Sequence, residues 1–389
     1  AFDLLVAGLM PDARHVGASA CRWMLAAIAN FPFAALVSAA ISGAIVALLL
    51  WQQASAWRVA VTLPLGVIGF VLLLAAWIAI VSTRRIAANG YGLCSGMGSA
   101  DALTPWLHAT LQDLAHRPSG TPLTFGDLWR AGGADALHET FRRRIDLRLM
   151  TTALSHGRPY SFPLEINDFH FDADEFRALF PAEIVEHLIA HAVAPVADGP
   201  LSGKHRLCAM ADLPILVPVR MSLAFPLLLS AVPLHRVRRD PDPARPGEWL
   251  DVAEKVWFSD GGICSNFPIH FFDATLPSRP TFGIDLTDDR YVREHPRDPE
   301  DFVWMPDRNG SGASSEVVDV ARQGKPSVLG FLGAIVKTMQ GWSDSTQLGA
   351  PGFRDRVVHV RLTRDEGGMN LRMHPDLIRR VSERGAEAA

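Results

Sequence analysis

Two long stretches without a charged side chain constrain this chain more than any other feature. Phe33 to Trp51 is 19 residues without a charge and Val59 to Val81 another 23, separated only by Gln52-Gln53-Ala54-Ser55-Ala56-Trp57-Arg58. At about 1.5 Å of rise per residue, each run spans as a helix roughly the ~30 Å hydrocarbon layer of a bilayer. A hairpin of two membrane-crossing helices, 33–51 and 59–81, is expected. Trp51, Trp57 and Trp77 lie at or near its ends, where indoles favour the membrane interface. Gly43, Pro64, Gly66 and Gly69 interrupt the runs and would suit a pair of buried core helices instead, but charge-free runs this long exceed what a soluble core helix needs. Arg22 before the first run and Arg84-Arg85 after the second outnumber Arg58 in the turn. The positive-inside rule then puts both open ends, and the rest of the chain, on the cytoplasmic side.

The 389 residues are 49% hydrophobic, enough for a substantial core. With 37 basic against 41 acidic residues and a net charge of -4, no global field favours nucleic acid, and no nucleic-acid partner is expected. Cys21, Cys94, Cys208 and Cys264 are scattered without a C-x-x-C pair or a histidine at metal-ligand spacing, and read as reduced core residues. His187 and His191 stand at i, i+4 on an expected helix. Without a His-Glu-x-x-His arrangement or a third ligand they read as an ordinary helix face, and neither metal nor cofactor is expected.

Residues 1–32 read as a linker or helical segment, and from residue 86 to 389 the composition is that of a mixed domain. Asn89 to Gly98 is a glycine-rich connector. Ala102 to Ala115, Ala136 to Arg144, Ala173 to Leu179 and Pro181 to His191 have helical patterning. Arg142-Arg143-Arg144 reads as a solvated face. Leu147 to Leu154 and Tyr160 to Ile166 read as strands about the turn His156-Gly157-Arg158-Pro159. Four short apolar runs, Leu213 to Val219, Val252 to Phe258, Thr281 to Leu286 and Val357 to Leu362, also read as strands. Strands alternating with helices argue an α/β fold with a largely buried, mainly parallel central sheet. Asp240 to Pro246 and Asp307 to Ser315 read as loops.

The stretch with chemistry in it is Val256-Trp257-Phe258-Ser259-Asp260-Gly261-Gly262-Ile263-Cys264-Ser265-Asn266-Phe267-Pro268-Ile269. An apolar strand running into Asp-Gly-Gly sets one carboxylate at the strand's end, where glycines let neighbouring backbone approach closely. Before it stands Met221-Ser222-Leu223-Ala224-Phe225-Pro226, after an apolar run. Together these segments resemble the patatin-like phospholipase family, whose catalytic aspartate sits in an Asp-Gly-Gly/Ala turn followed by Asn-x-Pro. Gly352 to Val360 also resembles bacterial members that carry a hydrophobic insertion, and the resemblance runs over about residues 86 to 364. It implies a three-layer α/β hydrolase fold and a lipid acyl hydrolase acting through a Ser-Asp dyad without a metal. Asp260 would be the general base, Gly261 and Gly262 would shape its turn, Asn266 and Pro268 would fix the chain after it, and Ser222 would match a supporting motif. The expected partners are a lipid or ester substrate and the membrane.

The family's Gly-x-Gly-x-x-Gly oxyanion loop and Gly-x-Ser-x-Gly nucleophile elbow are not in the sequence. Gly17-Ala18-Ser19-Ala20-Cys21 is the closest approach, with Cys21 where the second glycine belongs and no buried strand before it. Ser19 is thus a candidate nucleophile whose other reading is a helix N-cap. The chain starts at Ala1, and one expectation covers both observations: a partial chain that supplies Asp260 and the hairpin and does not hydrolyse alone. The alternative is a non-catalytic, membrane-anchored scaffold of the same fold.

Overall fold

The computed structural model describes residues 24–25, 27–51, 55–118, 120–131, 143–193, 195–245, 247–273, 276, 280–288, 302–306, 321–322, 325–326, 354–363, 366 and 373–389. The chain divides into two compact units, one of residues 1–93 with 368–372 and one of 94–367 with 373–389.

In the first unit both charge-free runs are helices, α1 (Pro32–Leu50) and α2 (Ala56–Ala88). The second extends past the expected end at Val81, so that Arg84 and Arg85 lie inside its last turns. Proline and glycines do not break it, as holds for membrane helices whose neighbours re-satisfy the backbone. Ala34, Ala35, Ser38 and Ser42 are buried on α1, an i, i+4 stripe that meets α2. Ala34, Ala35 and Leu74 form one cluster with Phe70 and Ile78, and Phe33 meets Trp77 edge-on with ring centroids 6.1 Å apart. A Cβ on Gly66 would collide with Val46, and one on Gly69 would lie 3.8 Å from the Ser42 hydroxyl. Small residues thus let the two helices close on each other. Leu74 is the buried residue of α2's 33. Helices this long and apolar with so little buried are suited to cross a membrane, whereas a soluble core helix would be covered.

The second unit is mixed α/β. A six-stranded sheet is built from β1 (Leu149–Ala153), β2 (Arg158–Phe162), β3 (His170–Phe171), β4 (His205–Arg206), β5 (Val232–Pro241) and β6 (Trp249–Asp260), in the order β2-β1-β6-β5-β3-β4. All its pairings are antiparallel. This corrects the expected mainly parallel sheet: the turns 154–157 and 242–248 are too short for the dozen or so residues of a parallel crossover. Among the described residues, parallel pairing occurs between β7 (Gly283–Asp288) and β9 (Val357–Leu362), which β8 (Val303–Trp304) completes on the other side of β9.

The helices of this unit are α3 (Leu103–Leu114), α4 (Phe125–Trp129), α5 (Ala173–Arg177), α6 (Ala182–His191), α7 (Leu216–Ser222) and α8 (Pro375–Ala388). Thr124 and Asp127 form a capping box on α4, and Asp172 Oδ1 accepts from the Asp174 and Glu175 N–H groups to start α5. Helix α7 replaces the strand expected at Leu213 to Val219. Leu216, Val217, Pro218, Arg220 and Met221 are all buried, and a segment covered on every side carries no periodicity that separates helix from strand. Asp240 and Pro241 belong to β5, which shortens the expected loop. Most of Ala136 to Arg144 and all of Asp307 to Ser315 lie outside the described residues. One core cluster joins Phe125, Phe162, Phe171, Phe176, Ile184, Leu188, Val232, Leu234, Val256 and Phe258. Phe169 and Tyr160 pack edge-on to Phe258, which fixes β6 near its carboxyl end.

Helix α8 is tied to the three-stranded sheet by a buried fork. Arg384 Nη1 and Nη2 donate to Glu366 Oε2 and Oε1 at 2.6 and 3.1 Å, and Nη1 also donates to the Arg361 carbonyl at 3.0 Å. Burial alone would raise the Glu366 pKa, but Arg384 and the Thr363 N–H outweigh it and hold the carboxyl below its usual range. Replacing Arg384 with alanine is expected to cost about 3–5 kcal/mol, because it leaves a buried carboxylate uncompensated. Because the folded pKa is depressed, the stabilisation is present at neutral pH and lost as pH falls through the acid range. Urea unfolding of both chains at pH 7 and at pH 4 measures the difference, which must shrink at the lower pH.

Candidate active site around Asp260

Asp260 is the last residue of β6 and stands opposite Thr151 of β1. Three hydrogen bonds fix its backbone. The Asp260 N–H donates to the Ala224 carbonyl at 3.0 Å, the Ser259 hydroxyl donates to the same oxygen at 2.7 Å, and the Thr151 hydroxyl donates to the Ser259 carbonyl at 2.6 Å. Ala224 follows two residues after Ser222, the end of α7. The two sequence segments that carry the resemblance are therefore physically joined, Met221 to Pro226 against Ser259-Asp260. Ser222 enters through the chain it ends, and its neighbour Ala224 makes the contact.

Beyond Asp260 the chain turns through one short 3-10 helix, Gly261–Ile263, with Asp260 as its cap. Asp260 Oδ1 accepts from the Gly262 N–H at 2.6 Å, and the Gly261 carbonyl accepts from the Cys264 and Ser265 N–H groups. Neither glycine has a positive φ, so close approach is what they supply. A Cβ on Gly261 would stand 2.5 Å from the Met150 carbonyl oxygen, and one on Gly262 would stand 2.6 Å from Asn266 Oδ1 and 3.0 Å from Asp260 Oδ1. Asn266 is thus brought to the turn. Pro268 caps the next 3-10 helix, Ile269–Phe272. On either side of it Phe267 and Ile269 crowd Gly283 of β7, while Ile269 packs with Val357 of β9. The Asn-Phe-Pro-Ile segment therefore links the Asp260 turn to the second sheet.

Burial pushes the Asp260 carboxyl above the ordinary aspartate range, and the Gly262 hydrogen bond only partly opposes this. One oxygen is occupied by an N–H, and the described residues give Oδ2 no partner. A half-buried carboxylate of raised basicity with one oxygen available is suited to accept a proton from a bound nucleophile.

Ser19 lies outside the described residues. His187 donates its Nε2–H to the Asp212 carbonyl (2.9 Å) and stacks on His191; among the described residues no three metal-ligating side chains gather. Cys208 is buried, its thiol pushed up to about 12 by burial. Cys94 is exposed, which corrects its expected place in the core, and its thiol donates to the Leu228 carbonyl. Arg143 pairs with Asp146 and lies over the Trp129 ring.

Arg220 was not among the expected residues. It is fully buried on α7, and Nη2 donates to the carbonyls of Ser95 at 2.8 Å and Ser230 at 3.0 Å. Burial lowers its pKa to about 10, which leaves it charged at neutral pH. Its signal is a lone charge in the otherwise apolar Leu213-to-Leu229 stretch.

The chain is 39% identical over 354 residues to the RpoH suppressor of Rhizobium meliloti (strain 1021), an alignment covering 78% of this chain and 54% of that protein. The chain thus spans about half the length of the curated relative it matches. No family model matches, and no solved structure matches.

Two substitutions test the geometry. Gly261→Ala must displace the Met150 backbone and is expected to destabilise by about 1–3 kcal/mol. Asp260→Asn keeps an oxygen for the Gly262 N–H and removes a carboxyl that burial penalises when ionised. Since the folded pKa is raised, the wild-type carboxyl favours folding most at acid pH and loses that contribution as pH rises. The melting temperature of the Asn variant at pH 7 should equal or exceed wild type, with the margin narrowing or reversing toward pH 4. A lower melting temperature at pH 7 would refute this account of the turn.

Proposed function

We propose that this chain is the aspartate-bearing part of a membrane-anchored, patatin-like lipid acyl hydrolase, with Asp260 as the general base of a Ser-Asp dyad. The observation that carries the reading is the Asp260 turn itself. A carboxylate at a strand end has one oxygen held by Gly262 N–H, raised basicity from burial, and the Met221-to-Pro226 segment locked against its backbone. On this reading a serine hydroxyl gives its proton to Asp260 Oδ2 as it attacks the ester carbonyl, with no histidine between them. The motifs that would supply the serine and the N–H groups holding the oxyanion are not in this sequence. The sheet's fuller three-layer arrangement belongs to the same proposal.

Helices α1 and α2 support membrane anchoring by their length, apolarity and lack of cover. Arg22, Arg84 and Arg85 at the open ends against Arg58 in the turn favour an α/β unit on the cytoplasmic side. Anchoring keeps a site close to an insoluble substrate and raises its effective concentration.

The test is hydrolysis of a short-chain aryl ester by the full-length protein that contains this chain. Asp260→Asn should lower kcat/KM by about 10²–10⁴-fold, the usual contribution of general-base catalysis. Because only the deprotonated carboxylate accepts a proton, the rate of wild type should fall as pH drops. The midpoint of that acid limb should lie above the 3.8 of an unperturbed aspartate. Intact activity in the Asn variant would remove Asp260 from the chemistry.

A further inference from the structure

The hairpin that joins β1 to β2 brings a carboxylate, an imidazole, a phenol and a guanidinium into one chain of contacts. Its turn closes through the His156 N–H on the Ala153 carbonyl and the Gly157 N–H on the Leu154 carbonyl, with Gly157 at a left-handed φ of 61°. The turn is also fastened to β6. The Leu154 N–H donates to the Trp257 carbonyl at 2.8 Å, the Trp257 N–H to the Ser155 hydroxyl at 3.2 Å, and that hydroxyl to the Lys255 carbonyl at 3.3 Å. His156 is thereby set beside Glu254, with Nε2 3.3 Å from Glu254 Oε2 and Nδ1 2.8 Å from the Tyr160 hydroxyl. Arg158 donates to the same phenolic oxygen from Nη2 at 2.6 Å and from Nε at 3.2 Å. Glu254 and Asp260 are both on β6, about 20 Å apart along an extended strand, so this cluster is separate from the Asp260 turn.

The donors and acceptors fix which way the protons point. A guanidinium only donates, so the Tyr160 oxygen accepts both Arg158 bonds and its own proton is left for His156 Nδ1. A neutral imidazole that accepts at Nδ1 carries its proton on Nε2, which faces Glu254. Arg236 Nε holds the same Glu254 oxygen at 2.8 Å. Burial alone would raise the Glu254 pKa, but Arg236 and His156 outweigh it and hold the carboxyl below its usual range, ionised at neutral pH. The Tyr160 ring is clamped edge-on by Phe169 and Phe258, with centroids 5.8 and 5.6 Å away. A tyrosine that only filled this edge of the core would need a single partner for its hydroxyl. Here the hydroxyl points at a base, the base is backed by a carboxylate, and a cation sits at the oxygen, which are the parts of an activated nucleophile.

We propose that Tyr160 is a nucleophilic phenol that accepts an acyl group from a thioester, with His156 as its base, Glu254 as the positioning residue behind the base and Arg158 as the oxyanion partner. In the step the Tyr160 oxygen bonds to the carbonyl carbon while its proton passes to His156 Nδ1. The C–S bond then breaks, and the leaving thiolate takes that proton from the imidazolium, whose charge Glu254 has balanced. The products are an O-acyl-tyrosine and a free thiol. Arg158 is exposed and the described residues give its Nη1 no partner, so its outer N–H groups are free for the oxygen of the tetrahedral intermediate. One guanidinium serves a single oxyanion, whereas a transferring phosphoryl group spreads charge over three oxygens, and the neighbouring Arg236 is taken up by Glu254. The one proton on hand for the leaving group is the one His156 has just taken. That favours a donor whose leaving group departs readily, and a thiolate, with a conjugate acid of pKa about 8.5, does so. Tyr160 and His156 are both partly exposed, so the donor arrives from solvent.

The full chain in detergent micelles is treated with S-acetyl-N-acetylcysteamine at neutral pH, and acetyl-tyrosine is mapped over time by mass spectrometry. Tyr91 is an internal control: it is 49% exposed, more open than Tyr160, so a reaction governed by access alone favours Tyr91. Tyr160 should instead react about 10²-fold faster, the lower end of what a positioned base contributes. Equal rates, or a faster Tyr91, overturn the proposal. In urea strong enough to unfold the chain the two tyrosines should react alike; a lead that survives unfolding belongs to the local sequence and overturns the relay, and this comparison needs no variant to fold. His156→Gln should bring Tyr160 down to about the rate of Tyr91, and an undiminished lead in that variant removes His156 as the base. Glu254→Gln should slow Tyr160 and Glu254→Asp, which keeps the charge, should recover part of the rate; the same loss in both overturns the positioning role. Ethyl acetate in place of the thioester should give no acetyl-tyrosine, and equal acetylation from the two would overturn the thioester assignment. The outcome is independent of Asp260, since it reads one acetyl group per chain at Tyr160 and not the turnover of an ester.

Discussion

The carbonyl of Ala224 accepts from the Asp260 N–H at 3.0 Å and from the Ser259 hydroxyl at 2.7 Å. Through that one oxygen a loop that follows α7 is joined to the end of the longest strand in the sheet. Without it Asp260 would end a strand with a free N–H. The interaction depends in turn on Arg220, whose grip on Ser230 and Ser95 fixes where the loop begins and ends. A buried charge is an expensive way to hold a loop. It is effective because a guanidinium can satisfy two carbonyls from different segments at once, which no apolar side chain can do.

Local signals in the sequence carried much of this arrangement. The two helices suited to a membrane, the strands at Val252 to Phe258 and Val357 to Leu362, and the helices at Ala173 and Ala182 are where charge-free length, alternation and capping residues place them. The Asp-Gly-Gly turn was legible for the right reason, since both glycines are required by close approach. What was not legible depends on distant partners. Leu213 to Val219 reads as strand because burial on all sides erases period, yet it is mostly helix. The antiparallel order follows from turn lengths once strand ends are known, and those ends are what pattern places least well. Arg220 was passed over because a lone arginine in an apolar run has no local meaning; its meaning is Ser95, 125 residues away.

A carboxylate meant only to cap a turn would gain from exposure and from several N–H partners, both of which lower its pKa. Asp172 does this: two backbone N–H groups and Lys204 hold its carboxyl below the usual range in spite of partial burial. Asp260 is arranged the other way. Among the described residues it has a single N–H partner and no cation beside it, and enough burial to raise its proton affinity. The two aspartates share a chain and a capping role, so the difference lies in their surroundings. For stability alone the Asp260 arrangement is inferior, and proteins tend to keep such local losses where a reaction uses them. That contrast within one molecule is the physical argument that favours Asp260 over Asp172 as the candidate for chemistry.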